Sequence, residues 1–170
     1  MIKHSKIIRD PIHNIIEIDR KYLKVMDTYV FQRMHRISQL GLSSFVYPSA
    51  SHKRFSHSLG VFHLSNLFIN NLKKNSAIAI SDSDAEVLHF TALLHDIGHG
   101  PFSHMLEYAV NEYREQKSLI PKIGRFSHED MSLRIIRECD EIRNVLQSIS
   151  NDLPDQIAAI KQHKHPNRIL

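Results

Sequence analysis

Apolar positions along this chain follow two rhythms. Near the start they alternate loosely: Ile7 and Ile8 precede Asp10-Pro11, and Ile12, Ile16 and Ile18 follow. Asp10-Pro11 and His13-Asn14 supply turn chemistry, so residues 6–18 predict a short β-hairpin, an edge ribbon packed on helices. From residue 19 the period becomes helical. Residues 19–26 predict a short helix and residues 28–40 a longer one closed by Gly41, with Leu23, Val25, Met26, Val30, Phe31, Met34, Ile37 and Leu40 carrying the spacing. Arg33, His35 and Arg36 lie on the polar side of the longer helix, a solvated face by default, and residues 42–51 read as a connector.

A long helix opens at Ser51-His52-Lys53-Arg54 and runs to about residue 72; Val61, Leu64, Leu67, Phe68 and Leu72 form its expected buried stripe. A polar loop with an Ala/Ile patch covers residues 73–82. The next helix spans about residues 84–98, with Ser83 and Glu86 as a capping box. Its apolar residues Val87, Leu88, Phe90, Ala92, Leu93 and Leu94 lie all round the axis, so it is expected to be central and buried. Gly98, Gly100 and Pro101 end it, and Pro101 fits the first turn of a following helix through His104 and Tyr113. Residues 116–125 read as a surface loop. Helices then begin at His128-Glu129, at Glu141 and at Asp152/Pro154, the last running to about His163, with a basic end at residues 161–166 expected to be solvated. The pattern is that of an all-α bundle with a short N-terminal β-hairpin.

Composition narrows the picture. With 170 residues, 42% of them hydrophobic, the chain suits one domain over residues 1–170. A formal charge of +4 fits a phosphate-bearing ligand, is too small to prove one, and does not suggest nucleic acid. Cys139 is alone, which excludes an internal disulfide and points to a reducing cytoplasm. No apolar run is long enough for a membrane span, and the start lacks a signal-peptide core.

The chemistry concentrates where the central helix ends. Leu93-Leu94-His95-Asp96-Ile97-Gly98-His99-Gly100-Pro101-Phe102-Ser103-His104 sets three imidazoles and a carboxylate among apolar or small residues. Burying them unpaired is costly, and a cation is one good solution. His95 and His99 are four apart and share a face of a helix, whereas Asp96 is turned about 100° from His95. Further donors must come from elsewhere: His57, His104 and His128 are candidates. Imidazole with carboxylate suits Mn, Fe, Ni or Zn. Arg54 shares a side with His57 at a helix start and has the geometry of a phosphate clamp.

His57 followed by His95-Asp96 resembles the opening metal ligands of the HD-domain phosphohydrolases. The string His95-Asp96-Ile97-Gly98-His99-Gly100-Pro101-Phe102-Ser103-His104 is similar to one branch, the deoxynucleoside triphosphate triphosphohydrolases, which includes the sterile-alpha-motif/HD-domain enzymes and their bacterial relatives. Asp10-Pro11-Ile12-His13, Phe31-Gln32-Arg33, Gln39-Leu40-Gly41 and Ser51 to Val61 extend the likeness over roughly the whole chain.

The resemblance implies an HD-domain bundle binding a divalent metal, Mn, Fe, Ni, Zn or Mg, through His57, His95 and Asp96. It implies a dNTP substrate, Gln39 and Leu40 contacting its sugar and base, and His104 with Glu107 beside the leaving group. His99, His104, Glu107 and His128 form an expected hydrogen-bonded set that positions a proton. Homo-oligomers are usual in the branch, and animal members read guanine with an arginine where His35 stands here.

The branch completes its metal shell with a later aspartate in an Asp-Arg motif that finds no match here. Asp152 and Asp155 look like helix caps instead. The expectation is the N-terminal portion of a longer enzyme. The alternative is a catalytically impaired nucleotide-binding or protein-interaction module.

Overall fold

A computed structural model describes residues 5–75 and 79–162. Strand β1 (Ser5–Asp10) pairs antiparallel with β2 (Asn14–Asp19), in register from Ser5 opposite Asp19 to Asp10 opposite Asn14. Asp10 Oδ1 accepts the backbone N–H groups of Ile12 and His13, both at 2.9 Å, which builds the turn. Ile16 and Ile18 are buried on the helices while Ile12 is exposed, as an edge ribbon requires.

Helix α1 (Arg20–Met26) follows directly. The expected helix over residues 28–40 is broken instead: α2 (Tyr29–Gln32) passes into a 3₁₀ turn at Arg33–Arg36, and extended backbone follows. Thr28 caps α2 through its hydroxyl. The apolar spacing still works, because Phe31, Met34 and Ile37 all enter the core. Gly41 closes no helix; at φ +55° it opens a second 3₁₀ turn, Gly41–Phe45.

The long helix is α3 (Arg54–Asn75). Its expected buried stripe is corrected: Leu59, Phe62 and Ile69 are buried, whereas Leu64, Leu67 and Phe68 (65% exposed) face outward. Apolar residues occur on two sides of this helix, so periodicity alone could not choose the inner one. Helix α4 (Asp82–Leu94) starts two residues early, because Ser81 and not Ser83 accepts the Asp84 N–H. Glu86 pairs with Lys21 rather than closing a capping box. Helix α4 is central as expected, packed on α3 and on the last helix. It ends at Leu94, not Gly98.

Helix α5 (His104–Gln116) begins after a turn that holds Pro101, so Pro101 lies outside its first turn. The expected loop at 116–125 contains α6 (Ile120–Ile123). Helices α7 (His128–Glu138), α8 (Asp140–Gln147) and α9 (Leu153–Lys161) follow. Asp152 precedes α9 without a capping bond from its side chain, and Asp155 pairs with Arg137 at 3.1 Å. The basic end expected at 161–166 falls mostly outside the described residues, as do Ala77 and Ile78 of the loop patch. No helix among the described residues is long and apolar enough to cross a membrane.

One core unites the hairpin with α1–α4 and α7–α9, with Phe31, Phe62, Phe90, Leu93, Ile136 and Ile157 among its fully buried members. His89 enters it edge-on to Tyr22 and Phe62; its Nδ1 meets the Tyr22 hydroxyl at 3.1 Å, and its buried Nε2 has no partner. Burial pushes the His89 pKa from the ordinary 6.5 down to about 4. Between those values the unfolded chain binds the proton and the folded chain does not, so stability falls as pH drops from 6.5 towards 4. We expect His89→Gln to flatten this acid limb in melting curves taken across that range; an unchanged slope would contradict the assignment.

Candidate metal centre and adjoining cleft

Beyond Leu94 the backbone leaves the α-helix. Ile97 N–H bonds Leu94 O at 3.2 Å and His99 N–H bonds Asp96 O at 3.0 Å, two tight turns in succession. The helical geometry expected of His95 and His99 therefore fails: the turn sends them to different groups. His95 and Asp96 join His57 from α3, and His99 joins His104 from α5 and His128 from α7.

In the first group His57 Nε2 lies 3.2 Å from His95 Nε2. Asp96 Oδ1 lies 3.3 Å from His95 Nε2, and Oδ2 lies 3.7 Å from His57 Nε2. His95 Nδ1 donates to Ala92 O at 2.8 Å, which leaves the Nε2 lone pair facing its neighbours. Metal–nitrogen bonds of about 2.0–2.1 Å put two nitrogens on one ion roughly 2.9–3.4 Å apart at angles from about 90° to tetrahedral. The donor set, its spacing and the fixed tautomer fit a divalent cation.

Asp96 is only 8% exposed. Burial pushes its carboxyl up, but His95, Arg54, His99 and His57 outweigh this and hold it below the usual carboxylate value. Burial in turn lowers the His57 pKa, with His95 adding to the effect, and so favours the neutral, ligating imidazole.

Arg54 is the largest fully buried side chain, 1% exposed. Its Nη1 donates to Asp96 Oδ2 and its Nη2 to Ser103 Oγ at 2.7 Å, while its buried Nε has no partner. Arg54 also lines a cleft of about 310 Å³ with Gln39, Leu40, Ser43, Phe102, Ser103, His104 and Met105. Gln39 Oε1 is likewise buried without a partner. The three expected substrate contacts, Gln39, Leu40 and Arg54, thus share one cleft beside the metal group. At its rim Phe102 and Ser103 adopt φ of +64° and +55°, a strained pair, and Gly41 approaches so closely that a Cβ would lie 2.9 Å from Phe102 O.

The second group stacks. His99 and His128 rings lie 3.8 Å apart and nearly parallel, with His104 edge-on to both at 5.1 and 5.0 Å. Stacked rings direct their in-plane lone pairs side by side rather than at a common point, which suits proton and phosphate handling better than ligation. Glu107 Oε2 accepts from His128 Nδ1 at 2.7 Å and lies 4.0 Å from His104 Nδ1. Burial pushes the Glu107 carboxyl up, but hydrogen bonds from His128 outweigh it and keep the group below its ordinary value. His99 is almost fully buried; that burial and the nearby Arg54 push its pKa down to about 3, so it is neutral. His104 is 72% exposed in its side chain and reaches the cleft. The set expected from His99, His104, Glu107 and His128 is therefore assembled in space. His35 stands apart, stacked on Phe55 at 3.6 Å.

Other contacts were not foreseen. Arg33, expected on a solvated face, donates Nη1 to His99 O at 2.7 Å and Nη2 to Ile97 O. Lys161 Nζ donates to His95 O at 3.0 Å. Ser132 Oγ accepts the Gly98 N–H at 2.9 Å. Its position gave one hint: a small polar residue inside the apolar period of α7.

A model of the HD domain matches residues 54–169. The chain belongs to the HD-domain family. A Dictyostelium discoideum protein named deoxynucleoside triphosphate triphosphohydrolase SAMHD1 homolog is 37% identical over 164 residues, which is 96% of this chain and 30% of that protein. Human deoxynucleoside triphosphate triphosphohydrolase SAMHD1 is 45% identical over 103 residues, 60% of this chain and 16% of that one. A phosphohydrolase structure from Bacteroides thetaiotaomicron superposes with a TM-score of 0.78 at 36% identity, covering 97% of this HD domain chain and 36% of its own. The chain spans about a third or less of these relatives.

Gly98 fixes how the two groups meet. A Cβ there would run into His128 O and Ser132 N, both backbone, so no flexible side chain can yield. Overpacking of this kind costs about 1–3 kcal/mol. We expect Gly98→Ala to cost at least about 2 kcal/mol in urea unfolding, and a loss below about 0.5 kcal/mol would contradict this packing.

Proposed function

We propose that this HD domain is a metal-dependent phosphohydrolase acting on deoxynucleoside triphosphates, releasing deoxynucleoside and inorganic triphosphate. The observation that carries the reading is the 3.2 Å approach of the His57 and His95 ring nitrogens over the Asp96 carboxylate, beside a cleft that Arg54 shares. The relatives named as dNTP triphosphohydrolases support the substrate class.

The cation, Mn, Fe, Ni, Zn or Mg, is held by His57, His95 and Asp96. When bound it supplies Lewis acidity toward phosphate oxygens and makes water a nucleophile near neutral pH. Arg54, with its unpartnered Nε, neutralises phosphate charge. Gln39 Oε1 accepts from a substrate hydroxyl, and Leu40 packs on the base. His104, whose Nδ1 lies 4.0 Å from Glu107 Oε2, gives a proton to the departing 5′ oxygen. His128 orients Glu107, and neutral His99 stacks beneath it.

The test is direct. With Mn²⁺ added, each dNTP is incubated with the purified chain and deoxynucleoside release is followed by chromatography. We expect metal-dependent release. His95→Ala should lose both bound metal and product; His104→Ala should keep its metal and lose at least roughly 10²-fold in rate. Equal metal occupancy in His95→Ala and the unaltered chain would contradict the site. Nucleotide binding without release would favour the binding-module reading.

A further inference from the structure

Where α4 ends, its last carbonyls lose their helical partners. Leu94 O and Asp96 O find N–H groups within the turn, at Ile97 and His99. The alternate carbonyls do not. His95 O takes Lys161 Nζ and Ser132 Oγ, and Ile97 O and His99 O both go to Arg33. Arg33 is therefore a single group spanning two carbonyls, a use that needs the planar two-pronged guanidinium and that a point charge cannot reproduce. It arrives from the 3₁₀ turn that interrupts the expected helix at residues 28–40. Arg33 caps the end of α2, its N–H still bonded to Tyr29 O, and from there its half-buried side chain reaches across to the end of α4.

The two carbonyls flank Gly98, the residue pressed against α7. On one side of the grip lie His95 and Asp96, and on the other lies His99. A cation at a helix C-terminus is favourable in itself. Here it also falls at the point where the backbone divides its side chains between two groups. Asp96 stands between them: its Oδ1 is 3.3 Å from His95 Nε2 and 3.7 Å from His99 Nε2. A small rotation of the 95–99 turn would redistribute that carboxylate.

We propose that Arg33 is a positioning residue for the metal group, its guanidinium gripping the Ile97 and His99 carbonyls so that the turn delivers His95 and Asp96 to one cluster and His99 to the other. This rests on the reading of His57, His95 and Asp96 as a metal site. Arg33 itself touches neither cation nor substrate; it acts through the backbone.

Co²⁺ is the probe, because its visible bands report coordination number and geometry. The full chain, Arg33→Met, Arg33→Lys and Arg36→Met are titrated with Co²⁺, and spectra are taken at saturation. Loss of a group that orients metal ligands typically lowers affinity about 10–100-fold. Arg33→Met is expected to lose at least roughly tenfold in affinity and to show altered bands at saturation. Arg33→Lys should recover part of the affinity. Arg36→Met, the same loss of charge at an exposed neighbour, should match the unaltered chain. If Arg33→Met does not fold, Arg33→Lys decides alone, and a several-fold loss with altered bands supports the proposal.

A lower melting temperature with unchanged affinity and unchanged bands would reduce Arg33 to a structural role and overturn the proposal. If both Arg33 variants match the unaltered chain while His95→Ala abolishes Co²⁺ binding, the proposal falls and the metal reading stands. If the unaltered chain shows no Co²⁺ binding that depends on His95, both fall together.

Discussion

A carboxylate buried as deeply as Asp96 has to be compensated, and much of the site follows from how that is done. Arg54 reaches it from the start of α3, His57 from the next turn of the same helix, and His95 and His99 from either side along its own segment. Four partners from one helix and one turn converge on a single buried carboxylate inside an apolar bundle. The same arrangement draws Arg54 to the floor of the neighbouring cleft and leaves its Nε free of protein partners. Anion compensation and ligand recognition thus share one side chain.

The backbone beneath Asp96 is held with equal care. Helix α4 supplies apolar packing up to Leu94, after which Arg33, Lys161, Ser132 and the close approach of Gly98 to α7 take over. These anchors come from elements far apart in sequence, so the turn is only as well defined as the whole bundle. This explains how a chain with short peripheral helices can still hold ring nitrogens to the spacing that one cation requires. The positive φ angles at Phe102 and Ser103 occur where Gly41 packs on the Phe102 backbone and Arg54 Nη2 bonds Ser103 Oγ.

Much of this was legible in the sequence, for identifiable reasons. The hairpin announced itself through Asp10-Pro11, and α4 through apolar residues on every side. His57, His95 and Asp96 were found by motif and meet in space. Three failures are equally physical. The buried face of α3 is not legible in its periodicity because Leu64, Leu67 and Phe68 are as apolar as Leu59, Phe62 and Ile69, and only packing on α4 separates them. The helix over residues 28–40 reads longer than it is because a 3₁₀ turn keeps nearly the same apolar spacing. Arg33 and Lys161 read as solvated because nothing in their local pattern reveals a carbonyl contributed more than sixty residues away.

The central claim is that His57, His95 and Asp96 share a single cation. X-ray absorption at the zinc edge, on protein loaded with one equivalent of Zn²⁺, tests it most directly. The account predicts a shell of nitrogen and oxygen at about 2.0–2.2 Å with the outer-ring scattering of two imidazoles, one of which disappears in His57→Ala. An all-oxygen shell, or a spectrum that His57→Ala leaves unchanged, would contradict it.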